Sequence, residues 1–272
     1  MSPTDRAPLI AIDVGNSRIK CGRFERGATV ADDELPLPTA TAHIDDLLAP
    51  GEDLAVWLDR QGIDGGAADW WIGSVHRAAT SRLVGFIRDQ LSATHVTLLS
   101  CDDLPIEVRL PRPDMVGIDR LLGGLAASRL RAAAQPAIVV DLGTAVTVDA
   151  VAEDGAFLGG AIMPGIGMTA RAFHEFTDLL PLVEMTELSS EPPTLGTSTQ
   201  DAIRSGLFWG AVGGVRELVQ RLGSELGAQP LLLLTGGAAP SVAQLLDPAA
   251  VFAPHLVLSG IALAAGCGSN DG

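Results

Sequence analysis

The apolar positions of this chain fall into short unbroken blocks and into longer stretches where they recur every third or fourth residue, the marks of buried strands and amphipathic helices. The first block, Leu9-Ile10-Ala11-Ile12, runs into Asp13-Val14-Gly15-Asn16-Ser17. It returns 128 positions later as Ala137-Ile138-Val139-Val140, running into Asp141-Leu142-Gly143-Thr144-Ala145. Each copy continues into a second apolar, strand-like segment, so each predicts a hairpin whose first strand is buried and ends at an aspartate. The glycine lets the backbone turn tightly enough for its N–H groups and a neighbouring amide or hydroxyl to face a ligand. Two such hairpins are expected to grip the phosphates and cation of one nucleotide from opposite sides of a cleft.

Between the hairpins, Glu25 to Ala49 is polar, acidic and aperiodic, and is read as variable strands and loops. Trp70 to Val75 predicts a strand, followed by a helix with Leu83, Phe86, Ile87 and Leu91 on one face, and His95 to Leu99 a further strand. Strand, helix, strand indicates a parallel α/β layer. Met115 to Ala134 reads as a helix that Pro136 closes. Beyond the second hairpin, the turn Glu153-Asp154-Gly155 leads to a strand over Ala156 to Met163. Helices are expected at Ile166 to Phe176, Thr199 to Leu222 and Leu256 to Ala265, with a buried strand at Leu231 to Leu234 that ends in Thr235-Gly236-Gly237. The chain therefore reads as an α/β protein of two domains, 1–134 and 135–272.

Length and apolar content agree with two packed cores: 272 residues, 47% of them apolar. Charge narrows the partners. Lys and Arg total 18 against 33 Asp and Glu, a formal net charge of −15, which repels nucleic acid and anionic membranes. Cys21, Cys101 and Cys267 are widely spaced and odd in number, which suits reduced thiols. Met1 to Arg6 has no targeting pattern, so a cytoplasmic location is expected.

Several residues could carry chemistry. In the first hairpin, Asp13, Gly15, Asn16, Ser17 and Lys20 are spaced so that turn groups donate to phosphate while Lys20 adds a compact positive charge. The plain alternative is an ordinary turn in which Asp13 takes backbone N–H bonds. In the second, Asp141 suits a cation and Thr144 a phosphate oxygen, while Asp149 either joins the site or bonds its own hairpin. Gly117-Ile118-Asp119-Arg120 opens a helix, where the dipole is expected to keep Asp119 ionised and Arg120 can fork onto an anion. Such a carboxylate suits a base for a substrate hydroxyl. Gly159-Gly160 to Gly165 and Thr235-Gly236-Gly237 are either packing devices or a nucleotide edge. None of His43, His76, His95, His174 and His255 stands in a ligand spacing, and they read as structural or surface residues.

Taken in order, Asp13-x-Gly15-Asn16-Ser17-x-x-Lys20, Gly117-x-Asp119-Arg120, Asp141-x-Gly143-Thr144-Ala145-x-Thr147-x-Asp149, Gly160-x-x-x-Pro164-Gly165, Gly196-x-x-Thr199-x-x-Ala202-Ile203-x-Ser205-Gly206 and Thr235-Gly236-Gly237 resemble the type III pantothenate kinases over nearly the whole chain. The resemblance implies two ribonuclease-H-like, actin-like ATPase domains around a central cleft, usually in a homodimer. It implies transfer of the ATP γ-phosphate to pantothenate, the first step of coenzyme A synthesis. Carried over by position, Asp13, Val14, Gly15, Asn16, Ser17, Arg18, Ile19, Lys20 and Thr144 would bind ATP, with Asp13 near Mg2+. Asp119 would be the catalytic base. Leu110, Gly117, Ile118, Asp119, Arg120 and Thr199 would line the pantothenate site, and Asp141 would hold the monovalent cation, K+ or NH4+.

One position departs from the pattern. Many family members place a Tyr seven residues before the Gly of Gly-x-Asp-Arg, where this chain has Leu110 and no Tyr anywhere. Losing that hydroxyl contact costs about 0.5–1.5 kcal/mol if nothing replaces it. A non-catalytic nucleotide-binding regulatory relative, or a kinase for another small hydroxylated acceptor, are the competing readings. The retained Asp119, Lys20 and Asp141 favour the kinase.

Overall fold

The internal repeat seen in sequence becomes two sheets of identical topology. The computed structural model describes residues 7–27, 30–184, 191–238 and 245–268; the Met1 to Arg6 segment read above for targeting lies outside them. The first sheet has β1 (Leu9–Val14), β2 (Ile19–Phe24), β3 (Ala40–Ile44), β4 (Asp69–Ser74) and β5 (His95–Leu98), in the order β3-β2-β1-β4-β5. The second has β6 (Ala137–Leu142), β7 (Ala145–Val151), β8 (Phe157–Pro164), β9 (Leu231–Thr235) and β10 (Val251–Phe252), in the order β10-β9-β6-β7-β8. In both, the first strand is central, an antiparallel meander lies on one side and two parallel strands on the other. Each sheet thus has the ribonuclease-H-like arrangement that the resemblance implied.

Central strands are covered on both faces, which is why β1 and β6 read as unbroken apolar runs. All of β1 is buried, Asp13 included. Ile10, Ile12 and Val14 pack with Ile19 and Cys21 against α1 (Pro50–Gln61) and α2 (Arg77–Asp89) through Leu54, Trp57, Leu83 and Ile87. The opposite face carries Asp13 and Lys20, and lies against α6 (Leu256–Ala264), which packs on β1, β2, β4 and α3 (Ile118–Leu130). In the second sheet, Ile138, Val140, Val146 and Val148 meet Ile166, Ile203, Phe208 and Val212 of α4 (Ile166–Glu175) and α5 (Thr199–Leu226).

Most expected elements stand where the periodicity put them, with three differences. The helix α1 follows directly on the aperiodic stretch and has no counterpart in the sequence reading; Leu54, Trp57 and Leu58 are its buried stripe. The helix expected from Met115 begins at Ile118, because Pro113–Met115 forms a separate 3-10 turn and Gly117 becomes the N-cap. It stops at Leu130, since Arg131 is already extended.

The domain division also changes at the C-terminus. The compact units are Met1–Ala132 with His255–Gly272, and Ala133–Pro254. The helix α6, expected within 135–272, belongs to the first of these units. Its apolar residues are buried against α3 and β1, and the Ser259 hydroxyl donates to Pro36 O over 2.7 Å. Arg26 ties the far end of α6 down, pairing with Asp69 and donating to Ala265 O.

Candidate active site

In the first unit the site starts at the last turn of β1. Strand register sets Gly73, Asp13, Lys20 and His43 in one row across β4, β1, β2 and β3. Register partners in a sheet carry their side chains on the same face. The Lys20 ammonium stands 3.7 Å from the Asp13 carboxylate. Burying Asp13 is tolerable because that charge is beside it. The turn between the strands is closed by Gly15 N–H donating to Arg18 O over 3.1 Å, which leaves Asn16, Ser17 and Arg18 exposed at its tip. Val14 and Ile19, expected among the ATP-binding residues, have fully buried side chains in the core and offer only their backbone. Cys21, on the core side, is inert: burial, and then the charge of Asp13, push its thiol up to about 12.

A second element brings Asp119 to this unit's site. Gly117 is the N-cap of α3, and Asp119 stands in the first turn, where its Oδ1 accepts from Arg120 N–H at 2.9 Å. A Cβ on Gly117 would lie only 2.6 Å from that oxygen and 3.6 Å from Val75 Cγ1, so the glycine makes room for the carboxylate against an apolar wall. Burial acts against the helix end here. Burial pushes the Asp119 carboxyl above its ordinary range, opposed by the Arg120 N–H bond and by the charges of Arg120 and Lys20. Desolvation outweighs the helix end. Ile118 turns into the core, so of this motif Gly117, Asp119 and Arg120 remain partly accessible.

The second unit repeats the row with other chemistry. Ile162, Thr147, Asp141 and Thr235 stand side by side across β8, β7, β6 and β9. The Gly143-Thr144 turn is held by Gly143 N–H donating to Ala145 O at 3.1 Å. Two glycine segments close on it. Gly165 N–H donates to Thr144 O at 3.1 Å, and a Cβ there would sit 2.3 Å from that oxygen. Gly236, at φ +96°, adopts a left-handed conformation, and a Cβ there would come within 2.5 Å of Asp141 Oδ1. The two glycine motifs are therefore close-approach devices around Asp141 and Thr144. Asp149 is buried under β8, where a Cβ on Gly160 would lie 2.7 Å from its Oδ1, so it belongs to the packing of the sheet.

The remaining predicted residues are more dispersed. Thr199 is the first residue of α5, behind Ser198, whose hydroxyl oxygen accepts from Asp201 N–H at 3.1 Å. It lines a mainly apolar cavity of about 520 Å3 with Met163, Ile166, Phe173 and Ile203. Leu110 is half-buried in irregular chain ahead of the Pro113–Met115 turn. Asp13, Lys20, Leu110, Gly117, Asp119 and Arg120 thus belong to the first unit, and Asp141, Thr144 and Thr199 to the second. Sequence reasoning missed Val75, His43 and His255. Val75 carried no signal beyond ending a strand, and the histidines are brought to Lys20 by strand register and by α6.

Two ribonuclease-H-like sheets, each with an aspartate at the end of its central strand beside a glycine turn, define a protein of the actin-like fold class. Solved structures agree on the fold: the activator of the 2-hydroxyisocaproyl-CoA dehydratase from Clostridium difficile has a TM-score of 0.52 at 13% identity, over 95% of this chain and 93% of its own. MreB5 of Spiroplasma citri has a TM-score of 0.52 at 10% identity, over 94% and 95%. The sequence is more specific. The profile of the type III pantothenate kinases matches residues 9–221. A type III pantothenate kinase of Gluconobacter oxydans is 38% identical over 264 residues, 94% of this chain and 92% of its own, and one of Acidiphilium cryptum is 37% identical over 78% of each. The chain belongs to the type III pantothenate kinase family.

The crowding at Gly165 yields a test. Gly165→Ala forces its methyl onto the Thr144 carbonyl and displaces the turn, and is expected to weaken magnesium ATP binding at least about tenfold, equivalent to about 1.4 kcal/mol. Isothermal titration checks this. Unchanged affinity would remove the 143–144 turn from the nucleotide site.

Proposed function

We infer that the chain phosphorylates pantothenate, moving the γ-phosphate of ATP to its primary hydroxyl to give 4'-phosphopantothenate, the first step of coenzyme A synthesis. The observation that carries this reading is Asp119: a carboxylate in the first turn of α3, raised by burial, within the field of Lys20 and followed by Arg120. Family membership supplies the acceptor. Asp119 accepts the hydroxyl proton as the oxygen attacks phosphorus, and a carboxyl raised above its usual range is a better match to that task than an ordinary one. Arg120 holds the pantothenate carboxylate by charge, which a chain of net charge −15 has to supply locally. Lys20 and the 15–18 and 143–144 turns bind and orient the ATP phosphates, since phosphoryl transfer asks chiefly for alignment and charge neutralisation. Leu110, Gly117 and Thr199 are each read as pantothenate-binding positions, and Leu110 offers contact area without a hydroxyl.

Two ions fit residues of the chain. Asp13 is engaged with Lys20, and among the described residues no group of three acidic, His or Cys side chains gathers. Asp13 would stand near Mg2+, which would neutralise phosphate charge. The row of Asp141 between the hydroxyl-bearing Thr147 and Thr235 offers a single carboxylate among oxygens, which suits a monovalent cation, K+ or NH4+. Free Cys21, Cys101 and Cys267 support work in the reducing cytoplasm. No helix among the described residues is long and apolar enough to cross a membrane. Exposed Met168, Phe173, Phe176 and Leu179 support a homodimer that covers them.

These roles have measurable consequences. Asp119→Asn is expected to lower kcat by about two to four powers of ten with ATP affinity nearly unchanged; near-wild-type turnover would take the base away from Asp119. In the wild type, the base must be ionised, so kcat falls as pH drops through the raised pKa. The acid limb is expected above the ordinary carboxylate range and should be absent from the residual rate of Asp119→Asn. Replacing K+ by Na+ is expected to lower the rate sharply, and equal rates in the two salts would remove the cation from Asp141. Sedimentation equilibrium should return twice the 28.1 kDa chain mass; a monomer would overturn the dimer.

A further inference from the structure

We propose that His43 and His255 complete the polyphosphate grip begun by Lys20, as two further binding residues for the terminal phosphates of the nucleotide. This rests on the nucleotide reading of the first hairpin and adds residues that no part of that reading contains. His43 is the register partner of Lys20 on the neighbouring antiparallel strand, so the two side chains leave the sheet on the same face and Lys20 stands between His43 and Asp13. His255 reaches the same place from another direction. It is the N-cap residue of α6, the helix laid over β1 and β2 on that face, and its own side chain caps nothing.

Both imidazoles feel Lys20, and His255 also feels His43. Burial first, and then the charges of Arg18 and Lys20, lower His43, against a smaller opposing pull from Asp45. Burial, and then His43 and Lys20, lower His255. The groups around them are Asp13 on β1, Lys20 on β2, Arg18 paired with Asp45 at 3.7 Å beyond the strand ends, and Asp119 on α3, which feels Lys20. Three nitrogen groups from two strands and a helix cap thus converge where the chain as a whole is strongly acidic.

The internal repeat shows that this row is not a requirement of the fold. The positions of the second sheet that match Lys20 and His43 are Thr147 and Ile162, in the same register beside Asp141. The first copy alone is basic. A cluster whose imidazoles are held below their ordinary range gains protons when a polyanion arrives, because the phosphate charge favours the imidazolium. The second row, with hydroxyls and one carboxylate, has no such response.

The experiment uses the whole chain and magnesium ATP without pantothenate, so an incorrect acceptor cannot affect it. Titration calorimetry at pH 6.5 in two buffers of different ionisation enthalpy reads proton uptake, and Kd is followed from pH 6 to pH 8. The wild type is expected to take up protons on binding and to weaken as pH rises. In His43→Gln/His255→Gln the uptake should vanish, with Kd raised about five- to tenfold at pH 6 and less than about twofold at pH 8, as expected for losing two conditional charges. Histidine proton NMR of the wild type keeps the test independent of how the variant folds. Both imidazoles should titrate at higher pH with ATP bound. A wild type that binds ATP with imidazoles unshifted and no uptake overturns the inference alone; one that binds no magnesium ATP overturns it together with the nucleotide reading beneath it.

Discussion

A carboxylate one residue from the end of an almost wholly covered central strand is the constraint on which the remaining structure depends. Asp13 and Asp141 hold that position in β1 and β6. A strand covered on both faces has no place for an unsupported charge. In the first unit the support is Lys20 at 3.7 Å, directly across the hairpin. In the second it is a row flanked by Thr147 and Thr235, with Gly165 and Gly236 drawn in so closely that a side chain on either would strike the turn or the carboxylate. The hairpin turns, the glycine motifs and the helix cap at Gly117 are arranged around these two aspartates.

The duplication is also a division of labour. Identical strand order gives each unit the same scaffold, while the side chains in equivalent rows differ in charge. The first row carries Lys20 and His43 beside Asp13 and stands near Asp119 on α3. The second is neutral apart from Asp141 and stands beside the 143–144 turn. One topology thus presents a surface suited to phosphate and another suited to a small cation, with no change in backbone plan. Fold and function separate here: likeness to MreB5 or to the dehydratase activator speaks for the scaffold, and the rows speak for the chemistry.

Asp119 shows how competing electrostatic effects are decided by burial. A helix N-terminus, a backbone N–H bond and two cationic neighbours all favour the carboxylate, and taken alone they predict a strong acid. Burial removes enough water to act against them and raise the carboxyl. The same desolvation, with cations as neighbours, lowers His43 and His255. Proximity to Lys20 and loss of solvent tune all three groups.

The sequence by itself determined the two hairpins, their aspartates and turn glycines and most strands and helices, because strand period and turn chemistry act over a few residues. It also determined the family, through motifs that keep their order over nearly the whole chain. Tertiary structure alone decided what depends on contacts between distant segments. The last helix, read as part of the second domain, belongs to the first because its apolar residues find their cover on β1 and α3. Val14 and Ile19 turn into the core although they stand inside a binding motif, since alternation along a strand sends neighbours to opposite faces. The helix α1 went unread because its buried stripe of Leu54, Trp57 and Leu58 is short and set among charged residues. His43 and His255, 212 positions apart, meet Lys20 only once a β-sheet register and a helix packing have been chosen, and no local pattern encodes either.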